Sequence, residues 1–374
     1  MNKRLSSIDL LRGIVMVLMA IDHVRVYSGI PAGGSNPAIF FTRWITHFCV
    51  PAFVFFAGTG AWLQGKKTGD KAALSRFLLV RGALLVVLEL TLIRFCWTFN
   101  LDYGNFTLAG VIWMLGWCMI LLAAVIRLPV RAIAIFGLGV IFLQQLFSYP
   151  SHWLPDALRP LWEFIYPGGA EPWKAINILY TLIPWIGVMS AGYAFGAVME
   201  QEPAKRRRIC LWIGLSATAL FLIIGTVNVL RNPAPEGALP PILRLLNQTK
   251  YPASQLYLMM TLGPIIALLP WAQRAKGWLA NVLLVFGRVP LFFYLCHILL
   301  IHCSALMVNL IRTGSTHQAW YATAPYDWIP EPDRWTLGLL YLVWLIDVIV
   351  LYFVCRRYAQ YKDTHPGKKW LRYL

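Results

Sequence analysis

Runs of some twenty apolar residues, broken by short polar connections, recur along this chain from residue 8 to residue 355. A helix rises 1.5 Å per residue, and about 20 apolar residues cross the hydrocarbon layer of a bilayer, so each run predicts a spanning helix. About ten stretches satisfy that length: 8–29, 39–64, 74–96, 106–126, 129–148, 175–199, 207–230, 252–272, 278–308 and 335–355. Only Leu128 and Pro129 separate Arg127 from the fifth stretch. The longest connections, at 149–173, 231–250 and 309–334, are rich in Gly, Pro and Trp. The predicted fold class is all-α: one transmembrane domain over 1–374, built as a polytopic helical bundle. The opening residues MNKR run straight into an apolar segment holding Asp9 and Arg12, with no small-residue cleavage site. That predicts a retained first span rather than a removed signal peptide.

Composition agrees with the pattern. The chain is 59% hydrophobic and 13% charged, with a mean hydropathy of +0.61, whereas soluble domains average roughly 45–50% apolar and about 25% charged. A soluble globular protein is excluded, and the lipid bilayer becomes the first expected partner. The seven cysteines form no CxxC pair and no metal-ligand spacing, and most sit in apolar runs, as small buried hydrophobes do.

The net charge of +17 would suggest a nucleic-acid partner in a soluble chain. Sorted by position, the charge speaks of topology instead, and no nucleic acid is expected. With the N-terminus cytoplasmic, 21 Lys and Arg fall on one side, from Lys3 and Arg4 through Lys66, Lys67, Arg81 and Lys205–Arg208 to Lys362 and the C-terminal tail. The other side holds 7: Arg159, Lys174, Arg231, Arg244, Lys250, Arg312 and Arg334. The positive-inside tendency therefore places both termini in the cytoplasm. Five arginines remain inside the spans, Arg12, Arg25, Arg43, Arg94 and Arg288, with the acids Asp9, Asp22, Glu89 and Asp347. An ionisable group at the bilayer centre costs about 2.5–3.5 kcal/mol on insertion scales, so each must face a cavity or a partner. Arg288 and Asp347 form one candidate internal ion pair.

In the first span, 100° per residue brings Asp9, Arg12, Met16 and His23 into a sector of roughly 60°. Asp9 and Arg12, at i and i+3, can pair, and His23 lies about 21 Å further along the axis. Arg43 and His47 share one face at the start of the second span. The ninth span brings Tyr294, His297 and His302 to a similar depth. One intramembrane histidine is more often a packing residue; several at one depth, beside Asp22, Arg25 and Arg43, point to a polar functional cavity. Imidazole can take a proton from a hydroxyl or amine attacking a carbonyl, or carry an acyl group itself, so acyl transfer fits. There is no HExxH motif, Asp22 is not on the face of His23, and no metal is expected.

Other motifs carry less. GAWLQGKK over 60–67 approaches a phosphate loop but has Lys67 where Ser or Thr should stand, and it begins inside a span. Gly192 and Gly196 fit helix packing. Trp residues at span ends suit interfacial belts. Lys66, Lys67, Lys71 and Arg76, or Lys205–Arg208, could hold phosphates, though a role in orienting the chain accounts for them better.

The first span, with Arg4, Asp9, Arg12 and His23 in an R-x4-D-x2-R-x10-H pattern, resembles the opening helix of membrane acyltransferases. Thr46–Gly58 and Phe286–His297 resemble helices of the bacterial branch of the heparan-α-glucosaminide N-acetyltransferase catalytic-domain family. The resemblance implies an enzyme that takes an acyl group, usually acetyl, from cytoplasmic acyl-CoA to an acceptor on the outer side. It implies that Asp9 and Arg12 organise the acyl-CoA end and that His23 is the catalytic imidazole; Lys66 and Lys67 are added as donor-binding candidates from their charge alone. His47 stands as a second catalytic candidate, and Arg25, Arg43, Arg288, Tyr294 and His297 as acceptor-binding candidates. The animal heparan enzymes have Asn at the position of His23 and Asp at that of His47, with their catalytic His where this chain reads Gly33-Gly34. The heparan substrate is therefore not carried over.

The expected function is an integral-membrane acyltransferase of a bacterial inner membrane, moving acyl from acyl-CoA to a saccharide or other cell-envelope acceptor. Assembly into a homo-oligomer is left open. The rival is a transporter or flippase whose charges line a path without covalent chemistry. Transporters often show internal repeats, and the two halves here have no convincing similarity.

Overall fold

The computed structural model describes residues 6–33, 36–167, 175–233, 235, 239–324, 326 and 329–372. Lys3, Arg4, Gly34 and Lys174, named above, lie outside them. Helices make up 75% of the structure, with almost no strand. In chain order they are α1 Ser6–Tyr27, α2 Pro37–Trp44, α3 Cys49–Thr68, α4 Lys71–Leu88, α5 Arg94–Thr98, α6 Val111–Val125, α7 Val130–Phe142, α8 Arg159–Trp162, α9 Trp185–Met199, α10 Pro203–Arg231, α11 Pro241–Leu246, α12 Gln255–Ala272, α13 Trp278–Arg288, α14 Pro290–Thr313 and α15 Leu337–Thr364. Two three-residue strands, β1 Thr107–Ala109 and β2 Ile176–Ile178, pair in parallel.

Each apolar stretch coincides with helix, but the helices are not ten uniform rods. Among the described residues, five helical segments are long and apolar enough to cross a membrane: Pro37–Thr68, α10, α12, α14 and α15. A sixth is added if α7 and the following Gln144–His152, bent by 65°, form one broken span. Residues expected at the start of the fourth and sixth stretches form β1 and β2 instead. The ninth stretch is two helices, since Pro290 has no N–H to continue α13 and starts α14 at its first position.

The periphery is set by what lipid can cover. Only 22% of the most apolar part of α10 and of α15 is buried, against 61% in Pro37–Thr68. Leu222, Ile223, Ile346 and Phe353 are among the bare side chains they present. Such a band has no favourable exposure to water and marks a multi-pass membrane protein.

The centre is α1, packed on α3, α12, α13, α14 and α15. That explains how a helix with Asp9, Arg12, Asp22 and Arg25 lies within the bundle: protein, not hydrocarbon, surrounds them. Its backbone touches that of α13. A Cβ on Gly13 would meet the Leu283 carbonyl oxygen at 1.9 Å, and one on Gly287 would meet that of Asp9 at 1.7 Å. Small residues allow such approach where apolar burial gives no drive in lipid. Gly192 serves α3 and α9 likewise, its Cβ position 2.1 Å from the Phe55 carbonyl oxygen, as expected for this GxxxG. Replacing Gly192 with leucine should destabilise the protein by about 3 kcal/mol, the upper range for overpacking; unchanged thermal unfolding in detergent would refute it.

Two expected intramembrane charges prove to be local backbone partners. Glu89, in the π-helical turn Glu89–Ile93 between α4 and α5, accepts from the Ile112 and Trp113 N–H groups at 2.9 and 3.0 Å. It caps α6, whose own N-cap residue is Gly110 and offers no side chain. Arg94, fully buried, donates to the carbonyls of Phe106, Asn100 and Asp102 and fixes the turn after α5. The expected Arg288–Asp347 pair does not form. Arg288 lies 3.6 Å from Asp363, while Asp347 accepts from the Ser304 hydroxyl at 2.8 Å. The break at Pro290 leaves Arg288 at a helix end, away from the middle of α15.

Candidate active site

Three polar regions follow one another along α1. The first is a cavity of about 1380 Å³ around Asp9 and Arg12. Asp9 and Arg12 sit 3.8 Å apart, and Arg12 also donates to the Phe56 carbonyl at 2.5 Å, which ties α1 to α3. Lys66 and Lys67 line this cavity as expected, and so do Arg81, Arg288 and Lys362. Lys66 lies 3.7 Å from Glu200. Six basic side chains against Asp9 and Glu200 make the walls cationic, a surface that suits a polyanionic phosphate ligand. Lys71 instead points at the carbonyls of Arg127 and Leu128, and Arg206 at the Met199 carbonyl and the Gln273 side chain. Arg288, expected in the acceptor site, belongs here.

The second region is a pair of imidazoles. Tyr294 lines the far end of the cavity with Met16 and Ile112, and one turn on, His297 meets His23 across α1 and α14. His23 Nδ1 and His297 Nε2 are 2.6 Å apart, with the rings stacked at 4.8 Å. His297 Nδ1 lies 2.6 Å from the Tyr294 carbonyl and 3.1 Å from that of Phe293. Carbonyls only accept, so His297 Nδ1 carries a proton. In the neutral ring its Nε2 then accepts, and His23 Nδ1 must donate to it. The chain carbonyl → His297 → His23 leaves one lone pair, on His23 Nε2, where no described residue competes for it. His23 stays half-buried while His297 is fully buried. Trp97 packs edge-on to His23 at 5.0 Å. This arrangement gives a base of defined tautomer with a positioning group behind it. Substituting His297 with leucine should lower kcat by about 10²-fold, within the range for general-base catalysis, with KM little changed, and glutamine should restore part of it by accepting from His23 Nδ1. Equal losses for both variants would reduce His297 to packing. His302 stands apart: its Nδ1 donates to the Cys96 carbonyl at 2.9 Å, and its ring stacks on Phe99 at 3.7 Å.

The third region lies past His23. Arg25 is buried, bound to Asp22 at 2.9 Å and to the Ile30 carbonyl at 2.8 Å, so it secures the end of α1 rather than facing an acceptor. His47 does not join His23. It sits in the 3-10 turn Ile45–Phe48 against the Tyr257 ring at 5.5 Å, with the Tyr257 hydroxyl on its carbonyl at 2.8 Å. With Arg43, Trp44 and Asn247 it lines a pocket of about 60 Å³. Lys250, counted above among the seven basic residues of the outer side, is buried within electrostatic reach of His47. Burial alone would favour its neutral form, but Tyr251 and Asp22 outweigh it and hold its pKa above the ordinary lysine value. Nothing in the local sequence Gln248-Thr249-Lys250-Tyr251 separates it from an exposed lysine; only the fold of that loop onto Asp22 does.

No curated protein matches the chain. The family model described as heparan-alpha-glucosaminide N-acetyltransferase, catalytic, matches residues 4–230, which is more than half of the chain and spans Asp9, Arg12, His23, Arg43, His47 and the Lys66–Lys67 end of the cavity; the chain belongs to that acetyltransferase family.

Proposed function

We propose that this protein is an integral-membrane acyltransferase that moves an acyl group, acetyl in the first place, from cytoplasmic acyl-CoA to a saccharide or other cell-envelope acceptor across a bacterial inner membrane. Both termini are cytoplasmic in this reading, and the chain crosses about ten times, counting broken helices. The cationic cavity at Asp9 takes acyl-CoA, and the Arg43 pocket takes the acceptor. The observation that carries the reading is the relay from the Tyr294 carbonyl through His297 to His23, which leaves His23 Nε2 as a base between the two.

In the reaction, His23 Nε2 removes the proton of the acceptor hydroxyl or amine as that atom attacks the thioester carbonyl. The tetrahedral adduct expels CoA thiolate, forming the ester or amide and breaking the C–S bond. The His23 imidazolium, donating through Nδ1 to His297, returns the proton to the thiolate as CoA-SH. Arg12, Arg81, Lys66, Lys67, Arg288 and Lys362 line the cavity in which the phosphates of the donor would lie.

Thiol release from acetyl-CoA by the purified protein, with and without sugar acceptors, tests this; absence of release with every acceptor, from protein that binds acetyl-CoA, would refute it. The double variant Lys66→Gln with Lys67→Gln should raise KM for acetyl-CoA by about tenfold, with kcat nearly unchanged, since phosphate contacts hold ground and transition states alike. A fall in kcat at constant KM would place these lysines elsewhere.

A further inference from the structure

We infer that the Arg43 pocket is an anion site and that the acceptor carries a phosphate or carboxylate beside its nucleophilic hydroxyl or amine; this rests on the acyltransferase reading and names its substrate class. Three cations, Arg25, Arg43 and Lys250, gather past His23, and the carboxylate within their electrostatic reach among the described residues is Asp22. Asp22 already holds Arg25 at 2.9 Å, so this one carboxylate faces three cations. His47 is 2% exposed, lines the pocket, and has no partner on either ring nitrogen among the described residues, and the Trp44 indole N–H on the same wall has none among them either. Buried polar groups without partners are costly, and a buried cation more so, unless a ligand completes them. An anion does both: it compensates Arg43 and Lys250, and it accepts from Trp44 and from one His47 nitrogen. A volume of about 60 Å³ admits a single substituent rather than a sugar ring. Lys250 lies within electrostatic reach of both His47 and His23, which puts the pocket on the side of the bundle that holds the base.

Glucose 6-phosphate, glucuronate and glucose, titrated calorimetrically into the full-length protein in detergent and offered as acceptors in the thiol-release assay, test this. At least one of the two charged sugars should bind about tenfold or more tightly than glucose, and which one binds tells phosphate from carboxylate. Arg43→Gln should abolish most of that margin and Arg43→Lys should keep part of it; Lys250→Gln should act like Arg43→Gln if it folds, and the half-exposed Arg43 keeps the test open if it does not. Glucose binding as tightly as both charged sugars, or a preference unchanged in Arg43→Gln, would overturn the site. Charged sugars that bind without thiol release from any acceptor would leave the site standing and remove the acyltransferase reading. Acyl transfer to glucose with no preference would do the reverse.

Discussion

Replacing His23 with alanine should slow acyl transfer by about 10²- to 10⁴-fold, the contribution of a positioned general base. KM for acyl-CoA should hardly move, because the basic walls of the cavity proposed for the donor lie elsewhere, at Arg12, Lys66, Lys67 and Arg81. The size of the effect follows from the relay. Removing His23 frees the His297 Nε2 lone pair, but that ring is fully buried and held by the Tyr294 carbonyl, so it is not placed to take the acceptor's proton. His302 is fully buried between the Phe99 and Tyr27 rings, apart from His23. His47 lies at the acceptor pocket beyond Asp22. Steady-state thiol release, with size exclusion in detergent as the check on folding, measures it; a folded His23→Ala protein with full turnover would rule out the assignment.

The second large effect is structural. Gly287→Ala should destabilise the protein by about 3 kcal/mol or more, at or above the usual range for overpacking. The added methyl would stand 1.7 Å from the Asp9 carbonyl oxygen, and a backbone atom cannot rotate aside. Relief requires α13 to move off α1, and Asp9 is the residue at the contact, so the Asp9–Arg12 end of the cavity shifts with it. Gly139→Ala, with nothing within 4 Å of the new atom, is the control and should be neutral or slightly stabilising, as alanine is the better helix former. Equal melting temperatures and yields for the two variants would contradict the close packing of α1 on α13.

Much of the bundle is legible in the sequence because lipid imposes a length: runs of about 20 apolar residues are what a helix needs to cross the hydrocarbon layer, and helices stand at every predicted stretch. Breaks are less legible. Pro290 splits the ninth stretch, and the sequence around it is apolar on both sides, so hydropathy alone runs through it. The stripe Asp9, Arg12, His23 is legible as one face, since helical spacing fixes direction. The partners of that face are not: pairing across helices depends on rotation and crossing, which periodicity within one helix does not carry. The Arg288–Asp347 expectation fails for this reason.

By itself, then, the sequence determined that the chain is a membrane protein of many helices, that its basic residues are asymmetrically distributed, and that Asp9, Arg12 and His23 share a face. These are one-dimensional properties, set by transfer free energy and by the 3.6-residue turn. Tertiary structure decided which charges are functional candidates. It gave Arg94 and Arg25 to backbone and neighbouring groups, moved Arg288 to the cationic cavity, joined His297 to His23 at 2.6 Å, and buried Lys250 beside His47. Whether a charge in an apolar run fixes a loop, holds a ligand or moves a proton depends on the groups within about 3 Å of it, and those are set by how the chain turns after a helix, as for Arg25 and Arg94, or by a helix hundreds of positions away, as for His23 and His297.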